Sequence, residues 1–196
     1  MDASRRLTNI RHSVRLKAYD YSSNGAYFVT ICTQDRDCLF GTITVGAGPC
    51  ACPQILLSEA GKMAKDLWHE IPAHYSGIKI DEFIVMPNHI HGIIVITGAD
   101  AKGQLERQGG QTQGFAPTTA GLPLPVIVQR FKMLTTKLYS DGVKQSGWRA
   151  FNGKLWQRDY YEHVIRNEDE FNDIRQYIIS NPLKWSLDRE NPEFSD

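Results

Sequence analysis

The sequence contains no apolar run close to the roughly 20 residues that a bilayer crossing requires. Its first 17 residues carry Arg5, Arg6, Arg11, Arg15 and Lys17 without an apolar block, so nothing there reads as a secretory signal. Cysteine is scarce. Cys32, Cys38, Cys50 and Cys52 are too few for a disulfide scaffold of this length, and the close pair Cys50 and Cys52 has no second pair to complete a zinc site. All four read as free thiols. Net charge is absent too: 22 basic residues balance 22 acidic ones, which argues against a strongly basic nucleic-acid coat. No internal repeat is present. What remains is a chain of 196 residues, 41% hydrophobic, long enough for one domain with a real core. The expected setting is soluble and cytoplasmic, with no membrane partner.

The charge is unevenly spread. Residues 1–17 hold five basic side chains against Asp2 alone, and residues 126–166 hold Arg130, Lys132, Lys137, Lys144, Arg149, Lys154, Arg158 and Arg166 against three acids. Two such stretches can line one groove, or form ordinary solvated surface.

Residues 26–33, rich in β-branched and aromatic side chains, read as a strand. Residues 42–45 and 54–57 flank a Gly/Pro-rich segment and suggest a peripheral hairpin. Ser58 suits a helix N-cap, and Met63, Leu67 and Ile71 recur at helical spacing until Pro72. Residues 78–86 and 89–97 read as strands joined by a tight turn at Pro87-Asn88. Residues 98–125 lack periodicity and read as a mobile loop, just as residues 1–24 read as a flexible basic segment. A second helix carries an Ile127, Phe131, Leu134, Leu138 stripe. Leu155-Trp156-Gln157 reads as a short strand. Asn167 with Glu170 resembles a capping box for a third helix with Phe171, Ile174 and Ile178 buried and Pro182 at its end. The expected fold is α+β: a ferredoxin-like antiparallel βαββαβ sheet with both helices on one face, plus a C-terminal helix.

Two clusters could carry chemistry. His89-Ile90-His91 opens a strand, and side chains two apart on a strand share a face, so both imidazoles can reach one divalent metal. Two partly exposed histidines would give the same pattern. Tyr177 and Asn181, four apart, stack on one helical face. The phenol is a candidate nucleophile and the amide oxygen a candidate third ligand, while a half-buried tyrosine and a helix-capping asparagine are the plain alternatives. Together the two clusters have a logic. A phenol attacks a phosphodiester only when the phosphate is activated and aligned, which a metal on two imidazoles and an amide would do without adding protein charge.

Met86-Pro87-Asn88-His89-Ile90-His91-Gly92 followed by an apolar run resembles the histidine–apolar–histidine (HUH) motif of single-tyrosine HUH transposases, and most closely their REP-associated tyrosine transposase branch. Residues 27–34, 127–137, 155–158 with 162–167, and 177–182 echo the same branch in order, so the resemblance spans about residues 11–187. It implies a metal-dependent single-stranded DNA endonuclease and strand transferase. Tyr177 would be the nucleophile of a 5′-phosphotyrosine intermediate, and His89, His91 and Asn181 would hold Mg²⁺ or Mn²⁺. It further implies substrates that are single strands with hairpins, often palindromic repeats, hence a nucleoid-associated location. Relatives include homodimers that place tyrosine and histidines on different subunits. DNA contacts would fall to Arg11, Arg15, Lys17, Arg130, Lys132, Lys137 and Arg158, with aromatics stacking on bases. Tyr160 and Tyr161 compete as nucleophiles. His163 could orient a metal ligand from behind, contact DNA, or be structural. The rival function is a hairpin-binding regulator that does not cleave; a small-molecule metal hydrolase lacks a carboxylate base beside the histidines.

Overall fold

The structure is a computed structural model that describes residues 20–21, 23–45, 53–97 and 122–194. Arg11, Arg15, Lys17, Cys50, Cys52 and nearly all of the expected loop at 98–125 lie outside the described residues.

The chain order is β1 (Gly25–Cys32), β2 (Gly41–Val45), β3 (Pro53–Leu57), α1 (Glu59–His74), β4 (Ile78–Val85), β5 (His89–Ile96), α2 (Leu124–Ser146), β6 (Tyr161–Ile165) and α3 (Glu168–Ser180), with a 3₁₀ helix at Asn181–Leu187. Four strands form one antiparallel sheet ordered β4-β5-β1-β6, and β2 pairs with β3 as the peripheral hairpin. Without that hairpin the order is the expected ferredoxin-like one. No described helix is long and apolar enough to cross a membrane.

Alternation along the central strands splits the molecule into two cores. Tyr27, Val29 and Ile31 of β1 and Ile90, Ile94 and Ile96 of β5 point toward α1 and α2, which share one face of the sheet as expected. Phe28 and Ile93 point the other way, onto Ile174 and Ile178 of α3. His89 and His91 belong to this second face by their spacing, and His91 stacks on Phe28 with centroids 5.5 Å apart. The large core thus gives rigidity, and the smaller face holds the chemistry-bearing residues.

Several boundaries differ from the sequence reading. The last sheet strand is Tyr161–Ile165, whereas Trp156 makes only an isolated bridge to Thr33. Helix α1 continues through Pro72 to His74; a proline so close to the end removes one hydrogen bond without breaking the helix. Its buried seam is Ala60, Ala64, Trp68 and Ile71, with Met63 and Leu67 at the margin. In α2, which starts at Leu124, the seam passes through Phe131, Thr135 and Tyr139, leaving Leu134 and Leu138 each 39% exposed. Thr135 tolerates burial because its hydroxyl donates to the Phe131 carbonyl and accepts from Trp156 Nε1, both at 2.8 Å. Helix α3 ends at Ser180, just before Pro182 as expected, and the chain continues into the 3₁₀ helix that begins at Asn181.

Helix α3 is fixed at its start and at mid-length. Asn167 caps the Glu170 amide at 2.8 Å, and Arg175 grips Asp81 with two bonds of 2.6 and 2.8 Å. Asp81 lies where the β4–β5 register shifts, between Ile80 and Phe83. The Arg175 guanidinium holds the Asp81 carboxyl below its usual value against a smaller opposing effect of burial. The bridge therefore stabilises the fold above the ordinary carboxylate range and is lost as pH falls through the lowered value. Unfolding curves across acidic pH are expected to decline slightly more in wild type than in Asp81→Asn, where Glu170, also held below its usual value, still contributes. An identical decline in the variant would remove this pair from the acid response.

Candidate active site

The site is built at the β4–β5 turn, where backbone bonds allow little play. The carbonyls of Pro87 and Asn88 accept from Phe40 N at 2.9 Å and Thr33 N at 2.8 Å, and Met86 N donates to the His89 carbonyl at 2.8 Å. Both histidines then emerge on one face of β5, 0% and 4% exposed, which removes the partly exposed alternative. Their Nε2 atoms converge to 3.0 Å.

Each ring is held from behind. His89 Nδ1 meets the Asn88 side-chain oxygen at 2.9 Å, and an amide oxygen only accepts, so Nδ1 carries the proton and Nε2 keeps its lone pair. His91 Nδ1 meets Thr30 Oγ1 at 2.8 Å from the neighbouring strand, where the register sets Thr30 opposite His91. Burial pushes His89 down to about 3. It also drives His91 well below its ordinary value, with His89 adding to the effect and Asp188 opposing it. Both rings are therefore neutral near pH 7, the form that binds metals.

Asn88 contributes more than a turn. Its 1% exposed side chain also donates to the Arg36 carbonyl at 3.0 Å and the Glu190 carbonyl at 2.6 Å. One amide thus joins the histidine strand to the segment before β2 and to the C-terminal segment. Asn88→Ala is expected to lower stability by about 1–2 kcal/mol and to weaken metal binding roughly tenfold or more. Denaturant titration and Mn²⁺ titration read the two effects. Unchanged metal binding in the variant would mean that His89 does not need this orientation.

Across the face, α3 brings the tyrosine. Tyr177 Oη lies 3.4 Å from His91 Nε2, and its ring packs edge-on to Phe28 with centroids 5.9 Å apart. Its phenol is raised above the usual value, chiefly by burial and then by the Asp188 charge, while a hydrogen bond from Asn181 works in the opposite direction. Asn181, 2% exposed, follows the last turn of α3 in helical conformation. Its side-chain oxygen is buried with no hydrogen-bond partner. A bare amide oxygen on the residue that bonds the Tyr177 phenol, together with two neutral imidazoles, suits a divalent cation, so the donor set fits the metal that the sequence resemblance implies.

The other sequence candidates are placed as follows. Tyr161 shares the face and packs against Phe28, its phenol raised by burial and Glu170, but no hydrogen bond from it to the histidines is found among the described residues. Tyr160 packs in the opposite core, under the Lys132 ammonium. His163 bonds Glu170 Oε1 at 2.8 Å and so braces the start of α3; the groups behind the histidines are Asn88 and Thr30 instead. Lys132 donates to the carbonyls of Gln157, Arg158 and Asp159 at 3.0, 3.3 and 3.0 Å, which ties α2 to the loop before β6. Arg130 lies over the Tyr75 ring at 5.6 Å, in the layer of α1 and α2 away from the histidines. Lys137 and Arg158 are exposed. Cys32 and Cys38 are free thiols, as expected.

The sequence reading missed the C-terminal segment altogether. Trp185 lies over His89 with centroids 6.0 Å apart, and one donor atom each from His89, His91 and Asp188 lies within 4.8 Å of the others. Glu190 forms an ion pair with Arg36 at 3.1 Å, and burial together with Glu190 pushes the Cys32 thiol up. No spacing rule links residue 188 to residue 89.

No protein-family model matches the chain. It is 38% identical over 183 residues to an uncharacterised protein of Haemophilus influenzae, covering 91% of this chain and 92% of that one. Among solved structures it is similar to a REP-associated tyrosine transposase bound to a REP hairpin, with a TM-score of 0.50, 16% identity, and coverage of 87% of this chain and 73% of the other. A candidate transposase from Deinococcus radiodurans aligns with a TM-score of 0.43 and 20% identity over 85% of this chain and 95% of its own. The chain belongs to one family with the Haemophilus influenzae protein, and its α+β fold is that of the REP-associated tyrosine transposase.

Proposed function

We propose that this protein is a metal-dependent single-stranded DNA endonuclease and strand transferase. The observation that carries the reading is the 3.4 Å separation of the Tyr177 hydroxyl from His91 Nε2. It sets a nucleophile beside a convergent pair of neutral, buried imidazoles. The structural relative's binding of a REP hairpin supports a hairpin-bearing strand as substrate.

His89, His91 and the Asn181 oxygen would hold Mg²⁺ or Mn²⁺, which when bound polarises the phosphate and aligns it for in-line attack. Tyr177 supplies the nucleophile. Its oxygen forms a bond to phosphorus as the P–O3′ bond breaks, and the departing 3′-oxygen ends with the proton that the phenol gave up. The products are a 5′-phosphotyrosine and a free 3′-hydroxyl. The reverse reaction with a new 3′ end completes strand transfer. Asn181 hydrogen-bonds the phenol oxygen and fixes it relative to His91. Burial of the site shields the phosphotyrosine from hydrolysis. The proposed DNA contacts are Arg11, Arg15, Lys17, Lys137 and Arg158, with Arg130 and Lys132 already engaged by Tyr75 and by backbone carbonyls.

A labelled hairpin-bearing single strand incubated with the protein and Mn²⁺ is expected to give a covalent adduct that survives denaturation and disappears with chelator. A second reading, a hairpin-binding regulator without cleavage, is favoured by one observation: His89 is fully buried beneath the C-terminal segment. Tight hairpin binding with neither metal uptake nor adduct would select that reading.

A further inference from the structure

Four groups able to ligate a metal are gathered at the site. His89 Nε2 has a lone pair because its Nδ1 proton is directed at Asn88. His91 Nε2 is 3.0 Å away. The Asn181 oxygen has no donor. Asp188 Oδ2 lies 3.9 Å from His89 Nε2, with its side chain only 13% exposed. That distance is too long for a hydrogen bond, and a carboxylate facing a lone pair is repelled. The bare Asn181 oxygen and the Asp188 oxygen facing the histidines cost free energy unless a cation satisfies them.

Asp188 is also held in place. Its Oδ1 accepts from Glu190 N at 2.8 Å, and its own amide donates to the Trp185 carbonyl at 3.0 Å. One carboxylate oxygen is thus anchored to backbone while the other faces the histidines.

We propose that Asp188 is a ligand of the divalent cation, joining His89, His91 and the Asn181 amide oxygen. The inference rests on the metal-dependent reading of this site and adds a residue from the C-terminal segment to it. It also bears on the choice of metal. Two imidazoles favour Mn²⁺ over Mg²⁺, and a carboxylate with an amide oxygen keeps the site hard enough for Mn²⁺. The carboxylate also lowers the net charge of the loaded site from +2 to +1.

The test is titration of the full-length, metal-free protein with MnCl₂ in the absence of DNA, read by the electron paramagnetic resonance of free Mn²⁺. Wild type is expected to take up one ion, Asp188→Asn to bind at least roughly tenfold more weakly, and Asp173→Asn to match wild type. Asp188→Cys replaces the oxygen with a thiolate, so Cd²⁺ is expected to give a thiolate charge-transfer band stronger than that of wild type. This second variant keeps the test decisive should Asp188→Asn fold poorly. Mn²⁺ binding by a folded Asp188→Asn at wild-type strength, or absence of binding by wild type, would overturn the proposal. The adduct assay separates the two readings: if Asp188 variants lose Mn²⁺ while wild type makes no adduct with a hairpin strand, the ligand assignment stands and the nuclease reading falls.

Discussion

Tyr177→Phe is expected to reduce covalent attachment of a hairpin-bearing strand by at least roughly a thousandfold, to background, while leaving hairpin affinity and Mn²⁺ uptake near wild type. The substitution removes one oxygen from a ring held mainly by apolar contact with Phe28, so the fold has little reason to change. The lost oxygen is the one 3.4 Å from His91 Nε2. No other described phenol can replace it: Tyr160 faces the opposite core, and Tyr161 has no bond to the histidine pair. Tyr161→Phe should therefore retain the adduct. An adduct that persists in Tyr177→Phe and vanishes in Tyr161→Phe would reverse the assignment.

Gly92→Ala is expected to destabilise the protein by about 2–3 kcal/mol, read as a shift in the denaturant midpoint. A Cβ at Gly92 would stand 2.3 Å from Trp68 Cζ2 and 3.0 Å from two further indole atoms. The indole cannot swing clear, because it is 0% exposed and is stacked on Phe83 and set edge-on to Phe131. The glycine of the His89-Ile90-His91-Gly92 stretch thus serves the large core, on the face opposite the histidines. A midpoint within experimental error of wild type would show that α1 can shift to admit a methyl group.

The central strands were legible because their burial is nearly continuous: residues 26–33 and 89–97 are dense in apolar side chains whichever face they serve. The cap at Ser58 was legible because a hydroxyl before a periodic run has one common use, and it does accept from the Gly61 amide at 3.1 Å. Strand β6 was harder. Tyr161, Glu162, His163 and Val164 are all only part-buried, so the edge strand lacks the apolar density that marked β5, and the bulkier Leu155-Trp156 drew attention instead. The α2 seam shifted by a residue because Thr135 is a core residue through its hydrogen bonds.

At the site, the local pairs could be read and the distant ones could not. His89 with His91 and Tyr177 with Asn181 are two and four apart, spacings that secondary structure converts directly into a shared face. Asn88 gave its turn signal, yet its bonds to Arg36 and Glu190 span 52 and 102 residues, and no local rule reaches so far. Asp188 was invisible for the same reason.

The hydroxyl of Thr30 has one further consequence. A hydroxyl is a rotor that can give a proton or receive one. Beside His91 Nδ1 it serves either tautomer with a small turn about one bond. The imidazole can move its proton from the inner nitrogen to the outer one without displacing the ring, so the geometry set by the strand survives the exchange.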